Sequence, residues 1–363
     1  MDKQNPESTK SQVLADKTRQ SVGRLAKAYN PRTWKEKGLL WTAGLLLLTY
    51  AIVVVVLGVI WSFTPGFFDV RGNALEKAQH NEAKLVPGYV TTATAIRIAE
   101  TLLHKPGGYL SNDKTPPGIY LDNMPNWEFG VLTELRDTVR ALRNDFSRSQ
   151  TQSVEDKDLA VADPQFNYDS NSWMLPSTEG EYEKGVSALY RYLERLSDEK
   201  DYDGQFFTRA DNLAIYLELV RKRLGSFTQR LAASVGQVRL NTDLSGDASA
   251  RQSTPTPGQQ WVQTPWLQID DIFYESRGYT WALLHMLKAI AIDFEPVLSK
   301  KNAQVSLDQV IRDLEAASAR MWSPVVLSGT GFSLLANHSL VMASYIASAN
   351  AAISDLVIIL KQG

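Results

Sequence analysis

The sequence predicts an all-α fold: one N-terminal transmembrane helix, then an antiparallel helical bundle with long aromatic and Pro/Gly-rich loops. Three observations carry this. A run without a single Asp, Glu, Lys or Arg extends from Gly38 to Phe68. Beyond it, apolar residues recur at steps of three and four over most of the chain. No stretch alternates apolar and polar residues convincingly, so no strand is predicted.

The first element is a transmembrane helix over 38–63. A hydrocarbon core of about 30 Å takes roughly 20 apolar residues in a helix, and the run exceeds that. Ile52 and Val53 to Val56 are mediocre helix formers in water, but in lipid the backbone must bond to itself. Trp41 and Trp61 stand near its two ends, where interfacial aromatics belong, and Pro65-Gly66 stop it. A cleaved signal peptide has a short basic lead, an apolar stretch of about 7–15 residues and a small-residue cleavage site. Here 37 residues precede a longer run, and "WSFTPGFFDV" follows it. A helix buried in a soluble core would instead break into a polar face.

The flanks set the orientation. Residues 1–37 carry nine Lys and Arg against four Asp and Glu. Positive flanks stay cytoplasmic, so this basic tail lies inside and the bulk of the chain outside. The tail acts as a topology determinant and can touch anionic lipid heads. The whole chain carries −2, so the part beyond residue 37 carries −7. That excludes a basic field for nucleic acid. There is no cysteine, which rules out thiolate chemistry, cysteine-ligated zinc and disulfides, and fits an oxidising bacterial periplasm. About 300 residues without staples must be held by their core.

Next comes the bundle, 64–240. A helix is expected from about Thr92 to Leu103. From Trp127, Leu132, Leu135, Val139, Leu142 and Phe146 fall on one stripe; Tyr182, Val186, Leu189, Leu193 and Leu196 form another; Leu213, Leu217, Val220, Leu224, Phe227 and Leu231 form a third. Stripes this short, separated by loops, describe a bundle rather than an extended coiled coil. Thr178 with Glu181, and Ser306 with Gln309, read as capping boxes. Residues 147–176 resist helix. The Gly/Ser/Thr/Pro-rich segment 241–265 reads as a flexible linker or loop. Beyond it a C-terminal helical part, 266–363, packs on the bundle, with helices expected over roughly Tyr279 to Leu298 and from Ser306.

From Met321 to Ser354 the chain is again uncharged. Ser333, Asn337, His338, Ser344 and Asn350 interrupt it, and Ser339, Ala343, Ala347 and Ala351 form a small-residue stripe that admits a neighbouring helix. This reads as a helix buried in the domain or against a protein, with a second membrane segment as the alternative.

Two stretches are functional candidates. "HKPGGYLSNDKTPPGIYLDNMPNWEFG" places Tyr109, Tyr120, Trp127 and Phe129 in and beside a long turn-rich loop. They form either a partner or ligand surface or a cap on the bundle end. In "LQIDDIFYESRGYTWALLHMLKAIAIDFE", Asp271, Glu275, Gly278 and His285 share a helix face. Carboxylates and a histidine so placed can bind a metal or move a proton. The plainer reading is an ion pair with Arg277 or Lys288, or an acidic helix start. The spacing matches no metal motif, the four histidines are scattered, and no common catalytic signature is present. No cofactor or metal is expected.

The phrases "LLHKPGGYLSNDKTPPGIYLDNMPNWEFGVL", "NSWMLPSTEGEY" and "FYESRGYTWALLH", with the basic lead and single span, resemble a family of membrane-anchored proteins of Gram-negative proteobacteria. That family is defined only as a domain of unknown function. The resemblance covers nearly the whole chain and implies an inner-membrane address in a Gram-negative envelope. It supplies no catalytic residues. The expected function is an interaction or scaffold component of the cell envelope, bound to the bilayer through 38–63 and to an envelope protein or a second copy of itself. A periplasmic enzyme using Asp271, Glu275 and His285, and a ligand-binding sensor module, are the alternatives.

Overall fold

The uncharged run is helical. A computed structural model describes residues 19–20, 23, 27–80, 84–149, 154–198, 203–240, 257–323, 325–331 and 334–362. Residues up to 59 form one unit and residues 60–363 a second. In the first, α1 (Pro31–Lys37) is capped by Asn30, whose side chain accepts from the Arg32 amide. Gly38 separates it from α2 (Leu39–Trp61), whose last two residues belong to the second unit. Its 23 residues bury no side chain and span about 35 Å at 1.5 Å per residue, enough to cross a bilayer.

The second unit is built of helices. They are α3 (Val70–His80), α4 (Tyr89–His104), α5 (Asn123–Ala141), α6 (Leu159–Phe166), α7 (Thr178–Ser197), α8 (Ala210–Ala232), α9 (Ile269–Asp293), α10 (Glu295–Lys300), α11 (Gln304–Ala317) and α12 (His338–Lys361). All three predicted stripes are core-facing: Leu132, Leu135 and Val139 on α5, Tyr182, Leu189 and Leu193 on α7, and Leu213, Leu217, Val220 and Leu224 on α8 are buried.

The central helix is α9. Every residue from Gly278 to Leu287 is buried, so this stretch is surrounded by protein. The expectation of a helix starting at Tyr279 is corrected: it starts ten residues earlier, because Asp270 and Asp271 occupy the first turn, where acids favour the exposed amides. Its closest neighbour is α5, and the two run in the same direction. Asn126 meets Asp271 near their starts and Phe146 meets Phe294 beyond their ends. The approach needs two glycines. A Cβ on Gly130 would lie 2.0 Å from the Glu275 carbonyl oxygen, and one on Gly278 would lie 1.9 Å from that of Trp127. By contrast α8 and α12 are antiparallel: Lys361 pairs with Glu218, while Asn337 meets Ser234.

Four other local expectations change. Ser177, not Thr178, caps α7, accepting from the Gly180 amide at 3.2 Å; Thr178 instead donates to the Asp169 and Ser172 carbonyls. Ser306 caps nothing, since α11 starts at Gln304 after Ala303. Within 147–176, Leu159, Ala162 and Phe166 bury the face of short α6, whose preceding acids Asp156 and Asp158 are held by Arg195 on α7. Finally, β1 (Gln237–Leu240) pairs antiparallel with β2 (Gln259–Val262), Gln237 opposite Val262. Residues 241–256 of the predicted linker lie outside the described residues.

Candidate functional site

Asp271, Glu275 and His285 share one helix but not one site. Asp271 accepts from Asn126 Nδ2 at 2.7 Å. Glu275 forms a two-pronged pair with Arg230 of α8, both bonds 2.7 Å, rather than with Arg277 or Lys288. His285 lies deeper. Its Nδ1 is 2.7 Å from the Trp281 carbonyl and therefore carries the proton, which leaves Nε2 to accept the Phe68 amide at 3.1 Å. Burial pushes its pKa down to about 4; the hydrogen bond to Trp281 opposes this and the nearby Lys288 charge adds to it. A neutral acceptor is what the Phe68 amide requires. Among the described residues no group of three or more His, Asp or Glu is placed to hold a metal.

His285 is therefore part of a seam that ties the connector after α2 to the body. Trp281 Nε1 donates to the Gly66 carbonyl at 3.2 Å. Phe68 stacks on the His285 ring at 4.0 Å between centroids. Trp61, the last residue of α2, lies on Gly107, where a Cβ would come within 2.7 Å of the indole. Gly107 itself has φ +92°, a conformation favouring glycine. The connector from 61 to 69 is thus fixed by two indoles and an imidazole.

The aromatic loop is divided. Tyr109 and Trp127 are buried: Tyr109 donates to the Ser170 carbonyl at 2.9 Å, and Trp127 packs on Trp281. Tyr120 and Phe129 are exposed. The loop is held from inside by Glu128. Its carboxylate accepts from the Leu110 and Ser111 amides, both 2.9 Å at their shorter contact, from the Ser111 hydroxyl at 2.5 Å, and from the buried Lys105 ammonium. Burial lowers the Lys105 pKa and the Glu128 charge opposes that. None of this was visible in the sequence, since Lys105 and Glu128 stand 23 residues apart.

The small-residue stripe is divided too. Ser339 and Ala343 are buried, while Ala347 and Ala351 face outward. Residues four apart advance about 400° around a helix, so the row drifts about 40° at each step. The face that packs inward is Met342, Ile346, Ala349, Ile353, Leu356 and Leu360. By length and composition α12 could also cross a membrane.

A groove of about 620 Å³ is lined by Pro65 of the connector, Arg97, Glu100 and His104 of α4, and Glu183 and Tyr190 of α7. Tyr190 and Lys77 both bond to Glu100, and His104 pairs with Glu183 at 3.1 Å. Its size suits a small ligand, and its charges largely satisfy one another.

In comparisons with known proteins, no curated protein and no solved structure matches the chain. The family described as "uncharacterized protein conserved in bacteria (DUF2333)" matches residues 34–363, which takes in α2 and the whole second unit, and the chain belongs to that family.

Proposed function

We propose that the chain is an interaction module of the bacterial cell envelope. It crosses the inner membrane once through α2, with the basic tail in the cytoplasm and the helical body in the periplasm. The observation that carries this reading is the seam. His285, a candidate for chemistry, is spent together with Trp281 and Trp61 on fixing the connector 61–69 to the body. A connector fixed so firmly to the body suits a role that depends on position. The nine-to-four excess of basic over acidic residues before α2 supports the orientation.

α12 belongs to the body in this reading. Its flanking helices carry exposed charges, Arg221 and Lys222 on α8 and Arg312 on α11, and these groups are costly in lipid. The outward face of α12 presents Val341, Tyr345 and Ile358 around Ala347 and Ala351, an apolar surface suited to an envelope protein or a second copy of this chain. A photo-crosslinking residue at Tyr345 should yield a discrete protein adduct in living cells. The same residue at exposed Glu194 on α7 should not. An absence of any discrete adduct from Tyr345 contradicts the assignment of this face.

A further inference from the structure

The body has two ends, and its exposed tryptophans gather at one of them. At the first end lie the starts of α5, α9 and α12 and the close of α8: Asn126 bonds to Asp271 and Asn337 meets Ser234. The loop 105–122 lies here as well, fastened to the start of α5 through Glu128. Trp61, the residue that ends α2, lies against Gly107 at this same end. At the opposite end Thr91 bonds to Asp293, and Phe146, Phe206 and Phe294 cluster.

Six tryptophans follow Trp61 in the sequence. Trp127 and Trp281 are buried. The other four are exposed, Trp173 by 55%, Trp261 by 62%, Trp266 by 75% and Trp322 by 83%. All four belong to the first end. The loop of Trp173 is held to the loop 105–122 by Asn112, which donates to the Ser172 carbonyl at 2.8 Å. Trp261 covers Gly236 after α8, and Trp266 precedes α9. Trp322 follows Ser318, whose carbonyl accepts from Arg277. Tyr120, 74% exposed, stands on the remaining loop.

We infer that this end of the body docks on the lipid bilayer that α2 crosses, with these indoles and Tyr120 seated at the level of the lipid headgroups. Tryptophan and tyrosine favour that depth because one edge of the ring is apolar and the other polar. The occupant follows from continuity: Trp61 marks the point where the chain leaves the bilayer, and the exposed rings surround the end of the body that Trp61 touches. The attachment is apolar rather than ionic, since Asp113, Asp122 and Asp270 offset Lys114 and Arg320 at the same end. It should therefore persist at high salt.

The inference rests on α2 spanning the membrane, and the test separates the two. The chain has no cysteine, so single cysteines can carry an environment-sensitive fluorophore in the full chain, reconstituted into phosphatidylethanolamine/phosphatidylglycerol vesicles. The sites are Met174→Cys and Trp322→Cys on two loops of the docking end, Ile215→Cys near the opposite end, and Val53→Cys within α2; all four are exposed. Spin-labelled lipid should quench the probes at 174 and 322 several-fold more than the probe at 215, at low and at high salt. Quenching at 53 with 174 and 322 no different from 215 overturns the docking and leaves the anchor standing. The same holds if 174 and 322 are shielded only when a cell extract supplies a protein. An unquenched probe at 53 overturns both.

Discussion

Two buried titratable side chains pull the pH dependence of stability in opposite directions. His285 is held below its usual pKa, at about 4 against 6.5. The unfolded chain therefore takes up a proton that the folded one refuses. Its contribution is fully present above pH 6.5 and is lost as pH falls toward 4, by about 3 kcal/mol at about 1.4 kcal/mol per unit. Glu134 is the reverse. It accepts from Tyr216 at 2.5 Å and Thr138 at 3.0 Å, and burial, with the nearby Asp137 charge, pushes it up to about 8. Its contribution is present below pH 4.5 and is lost as pH rises toward 8. Glu134→Gln keeps a neutral acceptor and removes the titration. Urea unfolding of the full chain in detergent should show the variant gaining on the parent between pH 5 and pH 8 by a few kcal/mol; a constant gap contradicts a neutral Glu134. His285→Phe should be less stable than the parent at pH 8, since the Phe68 amide loses its acceptor at about 1–3 kcal/mol. The deficit should shrink toward pH 4, and a deficit that does not shrink rules out the depressed histidine.

At the level of helices, the contact between α5 and α9 decides the architecture. Gly278→Ala drives a methyl group into the Trp127 carbonyl, a backbone atom that cannot rotate away. It should cost about 3 kcal/mol or more. Gly225 on α8 provides the comparison, because its nearest outside atom is 3.8 Å away on the Asn350 side chain. Gly225→Ala should stabilise by about 0.5–1 kcal/mol through helix propensity alone. Thermal melts of the pair check both, and equal effects would remove the close crossing as the cause. The apolar stripes of α5, α7 and α8 were legible because a period near 3.6 is a local property of the sequence. The glycine pair was not: Gly130 and Gly278 acquire meaning only when two helices meet. Asp271, Glu275 and His285 do share a helix, as their spacing implied. Their actual partners, Asn126, Arg230 and Phe68, are remote in sequence, so the spacing carried no information about them. The aromatic loop was legible as unusual. Which rings turn inward depended on Glu128 and on the Ser170 carbonyl, and neither is a sequence signal.

Over the whole molecule, the account depends on a single crossing that leaves everything from the connector onward on the outer side. Trp61, Gly66 and Phe68 join the end of α2 to the body, and α12 packs beside α8 and α11. The absence of cysteine makes the most direct measurement clean. Lys35→Cys on α1, Glu194→Cys on α7 and Lys361→Cys at the end of α12 are treated, in cells with a permeabilised outer membrane, with a maleimide that cannot cross the inner one. The account predicts immediate labelling at 194 and 361, and labelling at 35 only after the inner membrane is broken. Protection at 194 contradicts the orientation, and protection at 361 alone contradicts the single crossing.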